Sequence, residues 1–160
     1  MDFFYHLGLT VHSIIESSTF YQEVVGLVPS NHGAKEDTAQ PTVLADGVEV
    51  FDVRSENFDR LTNNAGSEFS YQYLDSPDGR LTLQLVEYRA GGDGATAPAH
   101  NRCGTPHLSF FVDDLDQKRR DIEARGGVKI TSDIVRLRSN IRSFYVQDPD
   151  GIPVEFLEVK

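Results

Sequence analysis

The stretch HLGLTV at residues 6–11 returns in altered form as HLSFFV at residues 107–112. A helical stretch follows each copy, and each half then closes with a turn and a strand, SPDGRLTLQLVE at 76–87 and DPDGIPVEFLE at 148–158. Self-similarity of this kind is the sequence signature of a repeated structural unit. The chain is therefore predicted to contain two copies of one small unit, each with a histidine at the start of its first strand.

Each half follows the order βαβββ, judged from its hydrophobic periodicity and turn residues. The predicted fold class is α+β, with two tandem βαβββ modules. The first module spans 1–90 and includes an insertion near 30–65, the segment 91–105 is a glycine-rich linker, and the second module spans 106–160. The insertion is expected to hold one strand and a short helix.

Composition places the chain among ordinary soluble globular proteins, with 25% charged and 39% hydrophobic residues in 160. The formal net charge of −10 argues against nucleic acid and against an anionic membrane surface as partners. The single cysteine excludes an intrachain disulfide, and the N-terminal residues do not resemble a signal peptide. We therefore expect a cytoplasmic protein that binds neither nucleic acid nor membrane.

The repeat brings four polar residues into one candidate site: His6, Gln84, His107 and Glu155. Gln84 lies between two leucines of its strand, and Glu155 lies between Val154 and Phe156, so both point away from the apolar face that should lie under a helix. Glu87 and Glu158 have the opposite parity. Because a shift of one residue would exchange the two sets, this assignment depends on the register of the strands.

Two imidazoles, one amide oxygen and one carboxylate form a mixed nitrogen and oxygen donor set for a divalent transition metal, with Zn, Ni, Co, Mn and Fe all compatible. The donors carry a formal charge of about −1, so the ion keeps positive charge and Lewis acidity. Four protein ligands leave two positions of an octahedron for two vicinal oxygens of a substrate. We therefore predict one divalent metal ion per chain and a small oxygenated organic substrate.

The motifs HLGLTV, FYQEVVGL at 20–27, HLSFFVDDLD at 107–116 and DPDGIPVEFLE resemble those of the vicinal oxygen chelate superfamily, which includes glyoxalase I, extradiol dioxygenases and bleomycin-binding proteins. The resemblance covers nearly the whole chain except the insertion, and it implies that the two modules form a curved mixed sheet around a cup-shaped metal site. The ligand pattern is similar to that of methylmalonyl-CoA epimerase and of glyoxalase I. The resemblance implies a metal-dependent lyase or isomerase that transfers a proton alpha to a carbonyl through a metal-bound enolate.

Relatives of this kind use a carboxylate near the metal as acid or base, and Glu155 fits if it leaves the metal during turnover. A second group should come from the strand before Gln84, where the candidates are Glu68 and Tyr71. A strict SPDG hairpin would place Tyr71 opposite Gln84, and one extra loop residue would favour Glu68. The predicted catalytic residues are thus Glu155 with Glu68 or Tyr71.

Two other functions stay open. His6, His107 and Glu155 alone would form the 2-His-1-carboxylate triad of a one-domain Fe(II) extradiol dioxygenase, against which Gln84 argues if it is a ligand. The chain would otherwise be a non-enzymatic binding protein of the antibiotic-resistance type, although such members generally lack the metal ligands. The short curved sheets predict a homodimer, because their exposed edges must be paired or covered.

The remaining histidines and the cysteine are not expected to take part in chemistry. His12 is assigned to the surface or to the surroundings of the site, and His32 and His100 are assigned to solvated loops. Cys103 lies in the linker without a nearby base, so it is not predicted to be a nucleophile.

Overall fold

The structure is a computed structural model, and it describes residues 4–30, 41–92 and 102–160. The chain divides into two compact units, 1–94 and 95–160, whose boundary falls within the predicted linker. Each unit builds its own mixed sheet. The prediction of an α+β fold made of two tandem βαβββ modules is confirmed.

The first unit contains six strands and two helices among its described residues: β1 (Leu7–Thr10), α1 (Ile14–Phe20), β2 (Val28–Pro29), β3 (Thr42–Val43), β4 (Glu49–Val53), α2 (Glu56–Thr62), β5 (Glu68–Asp75) and β6 (Thr82–Ala90). The helix α1 continues as a π-helical turn over Tyr21–Val25, and a 3-10 turn covers Ala45–Gly47. The strand order is β1-β6-β5-β4-β3, with β1 parallel to β6. The short helix expected in the insertion is α2.

The second unit repeats this plan with β7 (Leu108–Phe111), α3 (Leu115–Arg125), β8 (Lys129–Ile130), β9 (Val135–Arg138), β10 (Ile141–Gln147) and β11 (Pro153–Val159). Its strand order is β7-β11-β10-β8, and β7 runs parallel to β11 as β1 does to β6. In both units, two separate strands pair with the strand that is third in the order. In the first, β2 and β4 pair with opposite ends of β5, and in the second, β8 and β9 do so with β10.

Both long helices begin at a side-chain cap and pack on the last strands of their unit. The Ser13 hydroxyl accepts a hydrogen bond from the Glu16 N–H, and the Asp114 carboxylate accepts one of 2.8 Å from the Gln117 N–H. The helix α1 covers β6 and β5, and α3 covers β11. Gly26 ends the π-helical turn at φ 100°, a conformation that favours glycine.

The apolar core of each unit lies between sheet and helix. In the first unit it includes Ile14, Phe20, Val24, Leu83 and Leu85, all buried. The corresponding set in the second unit is Leu115, Ile122, Phe144, Val154 and Phe156. Among the described residues, no helix is long and apolar enough to span a membrane.

Candidate functional site

In the first unit, His6 and Gln84 lie on the same face of the sheet. Gly8 pairs with Gln84 in the parallel register of β1 and β6, and His6 precedes Gly8 by two residues. Paired residues share a face, so Gly8 and Gln84 face the same side; His6 lies one residue before β1, and its ring contact with Tyr73 places it on that side as well. A Cβ atom placed on Gly8 would lie 3.7 Å from Gln84 Oε1. The glycine therefore leaves open the space beside the amide oxygen.

Tyr73 connects these two residues. It lies directly across from Gln84 in the β5–β6 pair, and Gln84 Nε2 donates a hydrogen bond of 3.0 Å to the phenol oxygen. The Tyr73 ring lies 5.5 Å from the His6 ring, centroid to centroid, in an edge-to-face arrangement. His6, Tyr73 and Gln84 are called the first cluster below.

The second unit builds an equivalent group. Ser109 and Tyr145 are the neighbours of Glu155 on β7 and β10, and the His107 and Tyr145 ring centroids are 6.2 Å apart. Glu155 is only 8% exposed, and its two carboxylate oxygens accept hydrogen bonds from the Ser143 hydroxyl at 2.6 Å and the Ser109 hydroxyl at 2.7 Å. His107, Tyr145 and Glu155 are called the second cluster.

Two further observations concern the pKa of Tyr145 in the second cluster and the hydrogen bonding of His6 in the first. Burial, and then the negative charge of Glu155, raise the pKa of Tyr145 above its ordinary value of 10.0. His6 is half-buried, and its Nδ1 atom is buried without a hydrogen-bond partner in the described part of the chain. A buried ring nitrogen without a protein partner is uncommon and calls for an explanation, of which an unseen ion is one.

Each unit contributes two of the four predicted metal ligands. Among the residues that the structure describes, the His, Cys, Asp and Glu side chains form no group of three or more that could hold a metal ion. The first unit supplies an imidazole and an amide oxygen, and the second supplies an imidazole and a carboxylate. The ligand role of these four residues therefore stays a prediction, while the face on which each lies is established within its own unit.

The predicted parity of the two acidic positions is confirmed. Glu87 lies under α1, where its carboxylate accepts a hydrogen bond of 2.8 Å from the Ile14 N–H. Glu158 lies under α3 and accepts one of 3.2 Å from the Leu115 N–H. Gln84, three residues before Glu87, points to the other face. The register on which the candidate site depended is therefore the one present in the structure.

Neither Tyr71, as in a strict SPDG hairpin, nor Glu68, as with one extra loop residue, lies opposite Gln84. Tyr71 pairs with Val86, two residues further along β6, and Tyr73 takes the place opposite Gln84. The reason is the turn, whose closing pair is Asp75 with Thr82, so that six residues lie outside the ladder rather than four. Tyr71 still contacts the Tyr73 ring, at a centroid distance of 5.4 Å. Its catalytic role stays a prediction.

Glu68 lies further from the cluster. It sits at the start of β5, opposite Ala90, five residues from Tyr73, which is about 17 Å at the rise of an antiparallel strand. Its carboxylate forms an ion pair of 3.2 Å with the exposed Arg54 side chain. This position favours the interpretation of Glu68 as a strand-end charge over a role beside Gln84.

The two tyrosines of the clusters were missed at the level of sequence, although the repeat contained a signal for them. The segments YLDSPDG at 73–79 and YVQDPDG at 145–151 share the spacing Tyr-x-x-x-Pro-Asp-Gly. Both tyrosines lie four residues before the proline of the turn, so an alignment of the two repeats on that turn would have identified them. Ser109 and Ser143 have no comparable signal, because serine in a strand has many ordinary explanations.

A cleft of about 250 Å³ borders the first cluster. It lies beside the middle of β5, between the end that pairs with β4, where Phe51 is opposite Tyr71, and the end that pairs with β2. Tyr73 and Phe51 line this cleft, together with polar side chains that include Gln22 and Gln72. Tyr73 therefore faces two features of the first unit, the cluster and the cleft.

The comparisons with known proteins agree with this architecture. Residues 4–156 match the model of the Glyoxalase/Bleomycin resistance protein/Dioxygenase superfamily. The chain belongs to this superfamily. Its members include enzymes as well as binding proteins, so membership does not decide the reaction.

Individual relatives of the superfamily match the chain over nearly its full length. The chain is 25% identical to the uncharacterised protein YwbC of Bacillus subtilis over 96% of its own length and 94% of that protein. A glyoxalase family protein from Bacillus cereus has a similar fold, with a TM-score of 0.74, 20% identity, and coverage of 96% and 91%. The fosfomycin resistance protein FosX of Listeria monocytogenes matches with a TM-score of 0.59, 15% identity, and coverage of 100% and 93%. These likenesses to solved structures show the shared fold.

The remaining predicted positions lie away from the clusters or outside the described residues. His12 is exposed after β1, and Cys103 is exposed before β7. His32 and His100 lie outside the residues that the structure describes.

Proposed function

We propose that the protein holds one divalent metal ion through His6, Gln84, His107 and Glu155 and catalyses proton transfer alpha to a carbonyl, as a lyase or isomerase. The observation that carries this proposal is the equivalent construction of the two clusters. In each, a histidine shares a strand face with an oxygen donor, and a tyrosine lies across from that donor and beside the histidine ring. The same arrangement of histidine, oxygen donor and tyrosine occurs in both units, which supports one shared role for the two clusters.

The donor set fits such an ion. Two imidazoles, an amide oxygen and a carboxylate suit Zn, Ni, Co, Mn or Fe in the divalent state. His6 offers a ring nitrogen without a protein hydrogen-bond partner among the described residues, and Gly8 leaves space beside Gln84 Oε1. A bound cation would supply Lewis acidity toward a carbonyl oxygen of the substrate.

The proton-transfer group that we propose is Glu155. Its carboxylate is almost completely buried, and two serine hydroxyls, one on each neighbouring strand, hold its oxygens in place. A fixed carboxylate shielded from bulk water suits abstraction of a proton from carbon. We assign the second proton-transfer position to Tyr71, whose ring contacts the Tyr73 ring of the first cluster.

The substrate that we propose is a small oxygenated organic molecule. The net charge of −10 disfavours polyanionic substrates. The cleft beside Tyr73, at about 250 Å³, has the size for a small substituent rather than a long chain.

The reaction is tested in deuterated water without oxygen. Metal-loaded protein is incubated with hydroxyacyl compounds, hemithioacetals and 2-substituted malonyl thioesters, and deuterium at the alpha carbon is measured. We expect exchange with one of these classes, reduced about 10²–10⁴-fold in Glu155→Gln. The matched control is Glu158→Gln, which changes a carboxylate on the opposite face of the same strand and should retain exchange once its folding is verified.

The metal site is tested separately by elemental analysis of protein purified without chelator. We expect about one equivalent in the wild type and a marked loss in His107→Ala. Equal metal content in both proteins would contradict the site. Absence of exchange with every substrate class, together with ring cleavage of a catechol when Fe(II) and oxygen are supplied, would assign the chain to the dioxygenases instead. Tight ligand binding without turnover would identify a binding protein.

A further inference from the structure

The two clusters hold their oxygen donors in different ways. The carboxylate of Glu155 is held through its oxygens by the hydroxyls of Ser109 and Ser143. The amide of Gln84 is held through its nitrogen, which donates to the Tyr73 phenol oxygen at 3.0 Å. Gly8, at the position equivalent to Ser109, has no side chain to offer to Gln84.

This difference matters because an amide has two unlike ends. Only the oxygen has lone pairs for a cation, whereas the NH2 group has two hydrogens that require acceptors. A carboxylate has two equivalent oxygens and needs no such choice. At the half-buried position of Gln84, a rotated amide would turn its nitrogen toward Gly8 and remove the donor atom from the candidate site.

We propose that Tyr73 is a positioning residue that fixes the Gln84 amide with its nitrogen toward the phenol and its oxygen toward the open space at Gly8. This inference rests on the proposed metal site, because Gln84, the residue that Tyr73 would orient, is one of the proposed metal ligands. Tyr145 occupies the equivalent position in the second unit but faces a carboxylate that two serines already hold. The orienting role is therefore specific to Tyr73, although both tyrosines lie beside a histidine.

The test measures Co²⁺ affinity by calorimetric titration in Tyr73→Phe and in its matched control Tyr145→Phe. Phenylalanine keeps the ring beside His6 and removes only the oxygen that accepts from Gln84. We expect Tyr73→Phe to weaken Co²⁺ binding about 10–100-fold, as is usual when a residue that orients a metal ligand is lost. Tyr145→Phe should produce a much smaller loss.

The same Tyr73 substitution in a Gln84→Glu variant tests whether the effect on metal affinity depends on the Gln84 amide. In Gln84→Glu, the side chain has no nitrogen to orient, so adding Tyr73→Phe should cost far less affinity than it does with glutamine present. A readout independent of the metal is the ¹⁵N-resolved side-chain NH2 resonance of Gln84, identified by its absence in Gln84→Glu. Tyr73→Phe should shift this resonance in the metal-free protein.

The outcomes separate the two proposals. Wild-type protein that binds Co²⁺ no better than a His6→Ala/His107→Ala double variant would overturn the metal site, and the inference with it. Binding that depends on the histidines but is equal in wild type and Tyr73→Phe would overturn only the inference. Equal losses in Tyr73→Phe and Tyr145→Phe would show a general packing effect and would also overturn it. The same conclusion would follow if Tyr73→Phe cost equal affinity in the wild-type and Gln84→Glu backgrounds.

Discussion

Glu87 and Glu158 make the same hydrogen bond in the two halves of the chain. Each carboxylate lies on the last strand of its module and accepts from the backbone N–H of the first residue of the helix above, Ile14 in one case and Leu115 in the other. The first N–H groups of a helix have no partner within the helix, so a carboxylate there satisfies a donor and complements the helix dipole. This contact joins helix to sheet in both modules.

We expect Glu87→Ala to destabilise the protein by about 1.5–3 kcal/mol, the usual contribution of a hydrogen bond to a charged group. The loss leaves the Ile14 N–H without its carboxylate acceptor. Urea unfolding followed by circular dichroism measures the change. Glu87→Gln is the matched control, since its amide oxygen still accepts, and it should lose less. Identical unfolding midpoints for wild type and Glu87→Ala would contradict the role of this bond.

Glu158 should make stability depend on pH in the acid range. Burial works to raise its pKa, but hydrogen bonds from Arg142, from the Leu115 N–H and from Lys160 outweigh it, so the pKa lies below its ordinary value of 4.5. A carboxyl group with a lowered folded-state pKa stabilises the fold above its unfolded-state value, and that contribution is lost as the pH falls through the folded-state value.

We therefore expect the free energy of unfolding to fall as the pH drops below about 4.5, with a shallower decline in Glu158→Gln. Chemical unfolding at a series of pH values from neutrality to strong acid measures both slopes. At neutral pH the variant should already be the less stable protein. Parallel slopes for the two proteins would show that Glu158 does not contribute to the acid sensitivity.

Local patterns in the sequence were sufficient for the module plan and for the strand faces. Alternating residues around Gln84 and Glu155 predicted which side chains leave the helix-covered face, and the hydrogen bonds of Glu87 and Glu158 confirm that parity. The reason is that burial of one sheet face specifies register strongly.

The residue pairing between β5 and β6 could not be predicted from the sequence in the same way. The number of residues outside the ladder depends on hydrogen bonds within the turn, where the Ser76 hydroxyl accepts from the Leu81 N–H at 2.9 Å. The Ser76 N–H also donates to the Leu81 carbonyl at 2.9 Å, and with this turn Tyr73, rather than Tyr71, lies opposite Gln84. The strand β2 was also missed, because it has only two residues and leaves no periodicity to detect.

We expect the protein to form a homodimer. Within their own units, β1 and β7 are the end strands of the two sheets, and Phe111 on β7 is 80% exposed. Edge strands with apolar side chains are normally paired or covered. Light scattering coupled to size exclusion should give twice the chain mass of 17.9 kDa at tens of micromolar protein. The mass of a single chain at that concentration would rule out a stable dimer.

Gly8 offers a direct comparison of the two modules, because serine stands at the equivalent position 109. A Cβ atom on Gly8 would meet Gln84 Oε1 at 3.7 Å, an ordinary contact, so Gly8→Ser should fold. The added hydroxyl would donate to Oε1 as Ser109 does to Glu155, and it would compete with a cation for an amide oxygen that has two lone pairs. We expect Co²⁺ affinity to fall about fivefold, the equivalent of about 1 kcal/mol for one hydrogen bond.

Gly8→Ala separates this competition from simple crowding. The methyl group occupies the same space without a donor, so its Co²⁺ affinity should stay near that of the wild type in the same calorimetric titration. Equal losses in both variants would mean that the open space itself, and not the uncommitted amide oxygen, is what the site requires. Unchanged affinity in Gly8→Ser would contradict the placement of Gln84 Oε1 toward the metal, because a hydroxyl at that position would then have nothing to compete for.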